Sequence, residues 1–336
     1  MLDNMDVTIA YSTRKQTPKN YKDYFNKNIK LVKVNNFTRN INPIKDFKAI
    51  FEVRKIVKKE NADIIHMHSS KAGAIGRIAI SSKKAKLFYT PHGYAFCKKD
   101  DSIFRRKIYM IIEKILANKK CLTIACSKGE YEDSLKITKN STFIDNGIDI
   151  EDIEKYIKKD QEKILDNKNL KICTVGRIGN QKNPELFNKI AERFPDTSFT
   201  WIGDGNLKDT LVSPNIKITG WFKRDEAIKE LYKNDIFILT SLWEGLPITL
   251  LEAMYLKKIC IVSNVSGNRD VIKNGMNGFI CDTEDEYCNI IENIQKWKIN
   301  TGKIQNEAKK TIITNHNIDR IAEKYFEIYC KGDDEY

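Results

Sequence analysis

Residues 236–254 read IFILTSLWEGLPITLLEAM, and the fold class turns on this stretch. Ile236–Leu239 is a run of β-branched and aromatic residues, long enough for a buried strand and too short for a helix. Residues 240–246 make the loop. Pro247 suits a first helical position, where its missing N–H would have no partner anyway, and Leu250, Leu251 and Met254 give the next helix an apolar face. A helix N-terminus beside the carboxyl end of a strand is where open α/β sheets bind ligands, and its amides favour anions.

Two carboxylates bracket this junction, Glu244 in the loop and Glu252 in the helix, with seven residues between them. A sugar nucleotide gives acids a role beside an anion site. Its diphosphate takes the amides while its sugar and ribose hydroxyls donate to the carboxylates. Taken alone, the stretch also allows Glu252 as an exposed helix residue and Glu244 as a loop acid complementing the helix dipole.

Glu244, Gly245, Leu246 and Pro247, followed by Leu251, Glu252, Ala253 and Met254, resemble the paired-glutamate motif of family 4 glycosyltransferases. The resemblance implies the GT-B fold, in which two Rossmann-like doubly wound α/β domains face a cleft. Its companions occur in order. Gly176, Arg177 and Lys182 occupy a turn that feeds a helix at Pro184; the two cations lie five apart, and on their own they could equally be solvated surface charges. Gly203, Asp204 and Gly205 follow a strand, as do Gly220, Trp221 and Phe222. Residues 266–272 and 274–279 resemble further family turns, although the first departs from the usual Gly-Gly-x-Pro-Glu.

The resemblance assigns roles. Arg177 and Lys182 hold the donor diphosphate, Glu244 the donor sugar and Glu252 the ribose. Gly203, Asp204, Gly205, Phe222, Gly245 and Leu246 line the donor site. His92, in the string Pro91, His92, Gly93, Tyr94 after a strand, touches the donor sugar near the reacting carbon. His68, Lys71 and Arg77, in HSSKAGAIGRIA at 68–79, border the acceptor side of the cleft, and so does Asn146, in a hinge turn at 146–149. His66 and His68 share one strand face and superficially resemble a metal pair, but no third ligand stands near them in sequence.

Residues 1–148 are expected to form the acceptor-side domain and 149–317 the nucleotide-sugar domain, with a charged linker at 151–169 and a helix at 318–336 crossing back onto the first. The resemblance does not reach the start: its members open with a strand, a glycine-rich loop and a helix before the segment matched by residues 6–12. The first domain is therefore expected to lack its first strand and loop. The strands at residues 7–11 and 63–68 would then lose their shared neighbour.

Composition narrows the partners. The 336 residues carry a net charge of +13, spread unevenly: residues 1–150 hold 30 Lys and Arg against 15 Asp and Glu, and the remainder hold 28 against 30. A basic half joined to a near-neutral one suggests that the first faces something anionic, such as a membrane surface or a lipid-linked phosphate. Nucleic acid is disfavoured, because neither aromatic interleaving nor a helix-turn-helix pattern accompanies the charge. The eight cysteines form no CxxC pair, which fits reduced thiols in a cytoplasmic protein. No signal peptide and no apolar run of membrane-spanning length is present, so a location peripheral to the inner face of the membrane is expected.

The expected activity is retaining transfer of a hexosyl or N-acetylhexosaminyl group from a nucleotide diphosphate sugar, a UDP-sugar, to a lipid-linked or saccharide acceptor in capsule or other cell-surface polysaccharide synthesis. No Asp-x-Asp occurs, so no metal cofactor is expected, and Arg177, Lys182 and helix amides would meet the diphosphate charge. The alternative is a non-catalytic nucleotide- or carbohydrate-binding protein of the same fold.

Overall fold

The computed structural model describes residues 5–14, 17–38, 41–98, 100–157 and 169–330. The first half runs β1 (Thr8–Tyr11), β2 (Lys30–Lys33), α1 (Pro43–Glu60), β3 (Ile64–His68), α2 (Ser70–Ala79), β4 (Lys86–Thr90), α3 (Ile103–Ala117), β5 (Leu122–Ala125), α4 (Lys128–Leu135), β6 (Ser141–Phe143) and α5 (Ile150–Tyr156). The second half runs β7 (Lys171–Val175), α6 (Pro184–Glu192), β8 (Ser198–Ile202), β9 (Ile216–Ile218), α7 (Arg224–Lys233), β10 (Ile236–Leu239) and α8 (Ile248–Tyr255). It continues through β11 (Ile259–Ser263), α9 (Ser266–Val271), β12 (Phe279–Cys281), α10 (Glu284–Gln295), α11 (Thr301–Asn315) and α12 (Ile318–Cys330).

The second half builds one six-stranded parallel sheet in the order β12-β11-β10-β7-β8-β9. Its central strands are buried on both faces, which explains their unbroken apolar runs. Alternate residues feed two cores: Phe237, Leu239, Cys260 and Val262 join one, and Ile236, Ile238, Ile259 and Ile261 the other. From β7 the chain winds outward through β8 and β9, then returns to β10 on the other side of β7. The winding therefore reverses between β7 and β10. The loops at their carboxyl ends, 176–183 and 240–247, flank that switch point, where open α/β sheets bind ligands.

In the first half, β3-β4-β5-β6 form a parallel sheet and β1-β2 a separate parallel pair. Among the described residues no ladder joins β1 to β3, the two strands that the resemblance leaves without a shared neighbour. Ala49 of α1 bridges them indirectly, packing with Val34 beyond β2 and Ile75 of α2.

α12 returns to the first half, where Ile321, Tyr325, Ile328 and Tyr329 cover Phe88, Leu122, Ile124 and Ile144. The chain thus crosses between halves twice, and the crossings are tied together. Ile148 N donates to His316 O at 2.8 Å, Ile318 N to Ile148 O at 3.0 Å, and His316 Nδ1 to Asn146 O at 2.9 Å.

Two local expectations are corrected. Pro247 is the N-cap of α8 and not its first residue: its ψ of 122° is extended, so the helix begins at Ile248. The charged stretch at 151–169 opens as helix α5, because Asp149 caps it (Asp152 N to Asp149 Oδ1, 2.8 Å) and Ile153 buries in the core. The rest of that stretch, 158–168, lies outside the described residues, as does the part of the predicted last helix beyond residue 330.

Candidate functional site

The first switch-point loop is locked to the 203–205 turn after β8 by close backbone approach. A Cβ on Gly203 would stand 2.2 Å from Gly176 O, and one on Gly205 2.0 Å from Ile178 O. Gly203 and Gly176 also adopt positive φ (144° and 145°), so glycine is required at both positions. Asp204 Oδ1 accepts from Gly205 N at 2.7 Å, which shapes this turn. Across the switch point Leu242 N donates to Gln181 O (2.8 Å), Thr240 Oγ1 to Lys182 O (2.7 Å) and Gln181 Nε2 to Trp243 O (3.1 Å).

These bonds bring Lys182 and Glu244 together. Lys182 Nζ is 2.7 Å from Glu244 Oε1, and Gln181 Nε2 is 3.3 Å from the other carboxylate oxygen. Their side chains are 15% and 7% exposed, so each charge is compensated mainly by the other. Arg177 lies in the same β7–α6 loop, half-buried.

Glu252 is buried on α8 rather than exposed, and its partner was not foreseen. Arg224, the first residue of α7, places Nη1 2.7 Å from Glu252 Oε1 and Nε 2.9 Å from Asp152 Oδ2. Burial pushes the Glu252 carboxyl up from its usual range, and Arg224 opposes the shift. Both residues border a small pocket of about 190 Å³ lined also by Val175, Ala227 and Thr249. Arg224 follows Phe222 by two residues, so proximity to the Gly220 turn was the available signal. Phe222 itself is exposed.

From the first half, His92 and Gly93 enter with positive φ (52° and 88°). Gly93 N donates to Glu130, whose other oxygen accepts from Cys126 N at 2.8 Å. The 240–247 loop abuts this turn, since a Cβ on Gly245 would be 3.4 Å from Gly93 N and 3.0 Å from Cys126 Sγ. Two further bonds cross between halves: Asn146 Nδ2 to Leu246 O (2.8 Å) and Gly129 N to Asp270 Oδ2 (2.8 Å). Leu246's own side chain is buried in the second-half core, so only its backbone can face a ligand. Asn146 acts here as a bridge between the halves.

His68, Lys71 and His92 line a cleft of about 1430 Å³ on the first-half side, together with Tyr11, Arg14 and Phe47. Lys71 is paired with Asp46 at 2.7 Å. His68 Nδ1 and His92 Nε2 share a hydrogen bond of 2.9 Å, and the His66 ring stacks on His68 at 4.1 Å. His66 is engaged at both nitrogens, by Tyr329 Oη (2.5 Å) and Thr90 Oγ1 (2.8 Å), which leaves it no lone pair for a metal. Surrounding protein lowers the pKa of all three rings, His92 to about 4, although His68 and His92 stay open to the cleft.

Arg77 requires a correction. It points into the first-half core, where it meets Glu113 Oε2 at 2.6 Å, lies over the Tyr89 ring at 4.2 Å and donates to Gly73 O at 3.0 Å. A buried guanidinium so fully engaged is structural and does not border the cleft.

Comparisons with known proteins agree over most of the chain. Residues 3–152 match the description "Glycosyltransferase Family 4" and residues 152–317 match "Glycosyl transferases group 1". The UDP-Gal:alpha-D-GlcNAc-diphosphoundecaprenol alpha-1,3-galactosyltransferase of Escherichia coli is 32% identical over 91% of this chain and 85% of its own. An uncharacterized 41.2 kDa protein in the cps region of Klebsiella pneumoniae is 28% identical over 87% and 86%. Among solved structures, sucrose-phosphate synthase from Thermosynechococcus elongatus superposes with a TM-score of 0.76 at 15% identity, covering 96% of this chain and 88% of its own. The Anabaena protein HepE, in complex with UDP and glucose, gives 0.71 at 17% identity, covering 89% and 85%. At these identities the structural likeness establishes the shared GT-B architecture.

Proposed function

The chain belongs to the family 4 glycosyltransferases, and on that premise we propose that it transfers a hexosyl group from a UDP-sugar to a saccharide carried on a lipid diphosphate. The observation that carries this reading is the Lys182–Glu244 pair at the switch point, in a loop that touches the His92–Gly93 turn of the other half. A donor seated there would present its diphosphate to Arg177, Lys182 and the first amides of α6 and α8, and its sugar to Glu244 and His92. As the anomeric carbon exchanges its bond to the diphosphate oxygen for one to the acceptor hydroxyl, whose proton passes to the departing phosphate, negative charge grows on that phosphate before the proton arrives. The two cations and the amides would meet it, Lys182 turning from Glu244 to the phosphate. Glu252, oriented by Arg224, would accept from the ribose hydroxyls.

The names of the relatives support the choice of partners: the 32%-identical one uses UDP-Gal and a diphosphoundecaprenol acceptor, and a Campylobacter jejuni relative at 24% acts on a PP-undecaprenol glycan. Retention of anomeric configuration belongs to the same proposal and rests on the family resemblance. The test is incubation of the purified chain with UDP-galactose, UDP-glucose or UDP-N-acetylglucosamine and a synthetic N-acetylglucosaminyl diphospholipid. UDP release would be followed, and the anomeric proton of the product read by NMR. UDP binding without transfer or hydrolysis of any donor would instead favour a non-catalytic binding protein.

A further inference from the structure

β3 and β4 end side by side, with His68 opposite Thr90, and each supplies one histidine to the cleft: His68 from the last position of β3, His92 from two residues past β4. The backbone is distorted at both places. Ser69, directly after His68, has φ 84° and ψ 150°, a region that residues other than glycine seldom enter, and His92 itself has φ 52°. His68 is also supported from behind. The His66 ring lies against it at 4.1 Å and 28°, and His66 is itself fixed by Tyr329 Oη of α12 and Thr90 Oγ1.

The 2.9 Å contact between His68 Nδ1 and His92 Nε2 holds one proton, since two N–H groups would collide there and two lone pairs would repel. Burial lowers the pKa of both rings, so each is neutral and carries one proton. With the shared proton on His68 Nδ1, His68 Nε2 is bare and His92 keeps its own proton on Nδ1. With it on His92 Nε2, those two outward nitrogens exchange roles. Either way the rings are the same tautomer, and of the outward nitrogens one donates while the other accepts. Among the described residues neither outward nitrogen meets a protein partner.

We propose that His68 and His92 act as one imidazole pair spanning both substrates, His92 Nδ1 meeting a hydroxyl of the donor sugar and His68 Nε2 a hydroxyl of the acceptor saccharide beside the one that attacks. This deepens the reading of sugar transfer and rests on it. A hydroxyl can serve in either sense, so the shared proton links the two contacts: a donor sugar that accepts from His92 leaves His68 as an acceptor, and the reverse. The acceptor saccharide is therefore oriented by a ring that the donor sugar has already set.

The chain has four histidines, so labelling them with nitrogen-15 in the full chain allows each ring to be followed by NMR. His68 and His92 should report the same tautomer. His68→Phe keeps an aromatic face against His66 and removes both nitrogens. It should let His92 redistribute between tautomers and raise the acceptor KM by about three- to tenfold, the scale of one hydrogen bond, with UDP affinity and melting temperature unchanged. His92→Phe should release the His68 tautomer in the same way. With both replaced, transfer should fall by less than the product of the two single losses, because either change alone already breaks the pair. Unlike tautomers in the two rings, losses that multiply, or an unchanged acceptor KM in His68→Phe would each overturn the proposal. In a chain that transfers no sugar, the N-acetylglucosaminyl diphospholipid added with UDP-galactose is read on the His68 Nε2 signal. A shift there would keep the pair as a substrate contact and remove the reading of transfer, and no shift would overturn the pair.

Discussion

Lys182 Nζ stands 2.7 Å from Glu244 Oε1, so the cation proposed for the leaving diphosphate is held by the carboxylate proposed for the sugar. The two roles are separable by substitution. Lys182→Ala should lower turnover by about 10²–10³, the scale for losing one charge-stabilising donor. Glu244→Gln frees Lys182 for phosphate and should leave UDP affinity equal or stronger while transfer falls steeply. Calorimetry with UDP beside steady-state transfer rates checks both, and parallel losses of binding and transfer in Glu244→Gln would count against the division.

Arg224 is expected to act through Glu252. Arg224→Ala leaves a buried carboxyl without its cation, and Glu252 should then bind a proton more readily, costing about 1–3 kcal/mol in stability or UDP affinity. Because that proton is lost at higher pH, UDP affinity of the variant should rise with pH where that of the parent is flat. A pH-independent affinity in Arg224→Ala would detach Arg224 from Glu252's function.

The Arg77–Glu113 pair is expected to matter for stability alone. Removing either partner strands a buried charge and should cost about 3–5 kcal/mol, whereas Arg77→Met with Glu113→Leu should recover much of that loss. Urea unfolding measures this. A transfer defect per folded molecule in the double variant would restore Arg77 to the site.

The histidine stack should make stability fall on mild acidification. His66, His68 and His92 titrate below their unfolded value, so between about pH 6.5 and 4 the unfolded chain binds more protons, and stability drops as pH falls through that window. Buried Glu130 and Glu252, whose carboxyls are raised, act in the opposite sense, losing stability as pH rises past their unfolded range. They are common to parent and variant. The difference between pH 7 and pH 5 in urea midpoint should therefore shrink in His66→Gln with His68→Gln, and an unchanged difference would exclude the stack as its source.

Sequence reading reached the second sheet most fully. Ile236–Leu239 and Ile259–Ser263 are strands at the predicted bounds, because a strand covered on both faces leaves an apolar run that only turn residues interrupt. Glu244 and Lys182 were legible as loop charges, though their mutual contact, made across 62 residues, was not. Arg77 shows the limit. Its partner Glu113 sits 36 residues away within the apolar helix α3, and only tertiary packing turns a loop-adjacent cation into a core residue. Arg224 escaped for the same reason, its carboxylate lying 28 residues downstream on another helix. The helical opening of the charged 151–169 stretch depended on the Asp149 cap and on Ile153, whose burial the surrounding acids and lysines obscured.

The paired crossings at Ile148 and Asn317 bear on how the cleft opens. Because the outgoing and returning segments are bonded to each other, they form one doubled strap and not two separate tethers. Two tethers set apart would let the halves slide across one another, whereas a single strap permits swivel about one pivot. A swing about that strap that widened the gap would have to break Asn146–Leu246 and Gly129–Asp270 while leaving the strap intact.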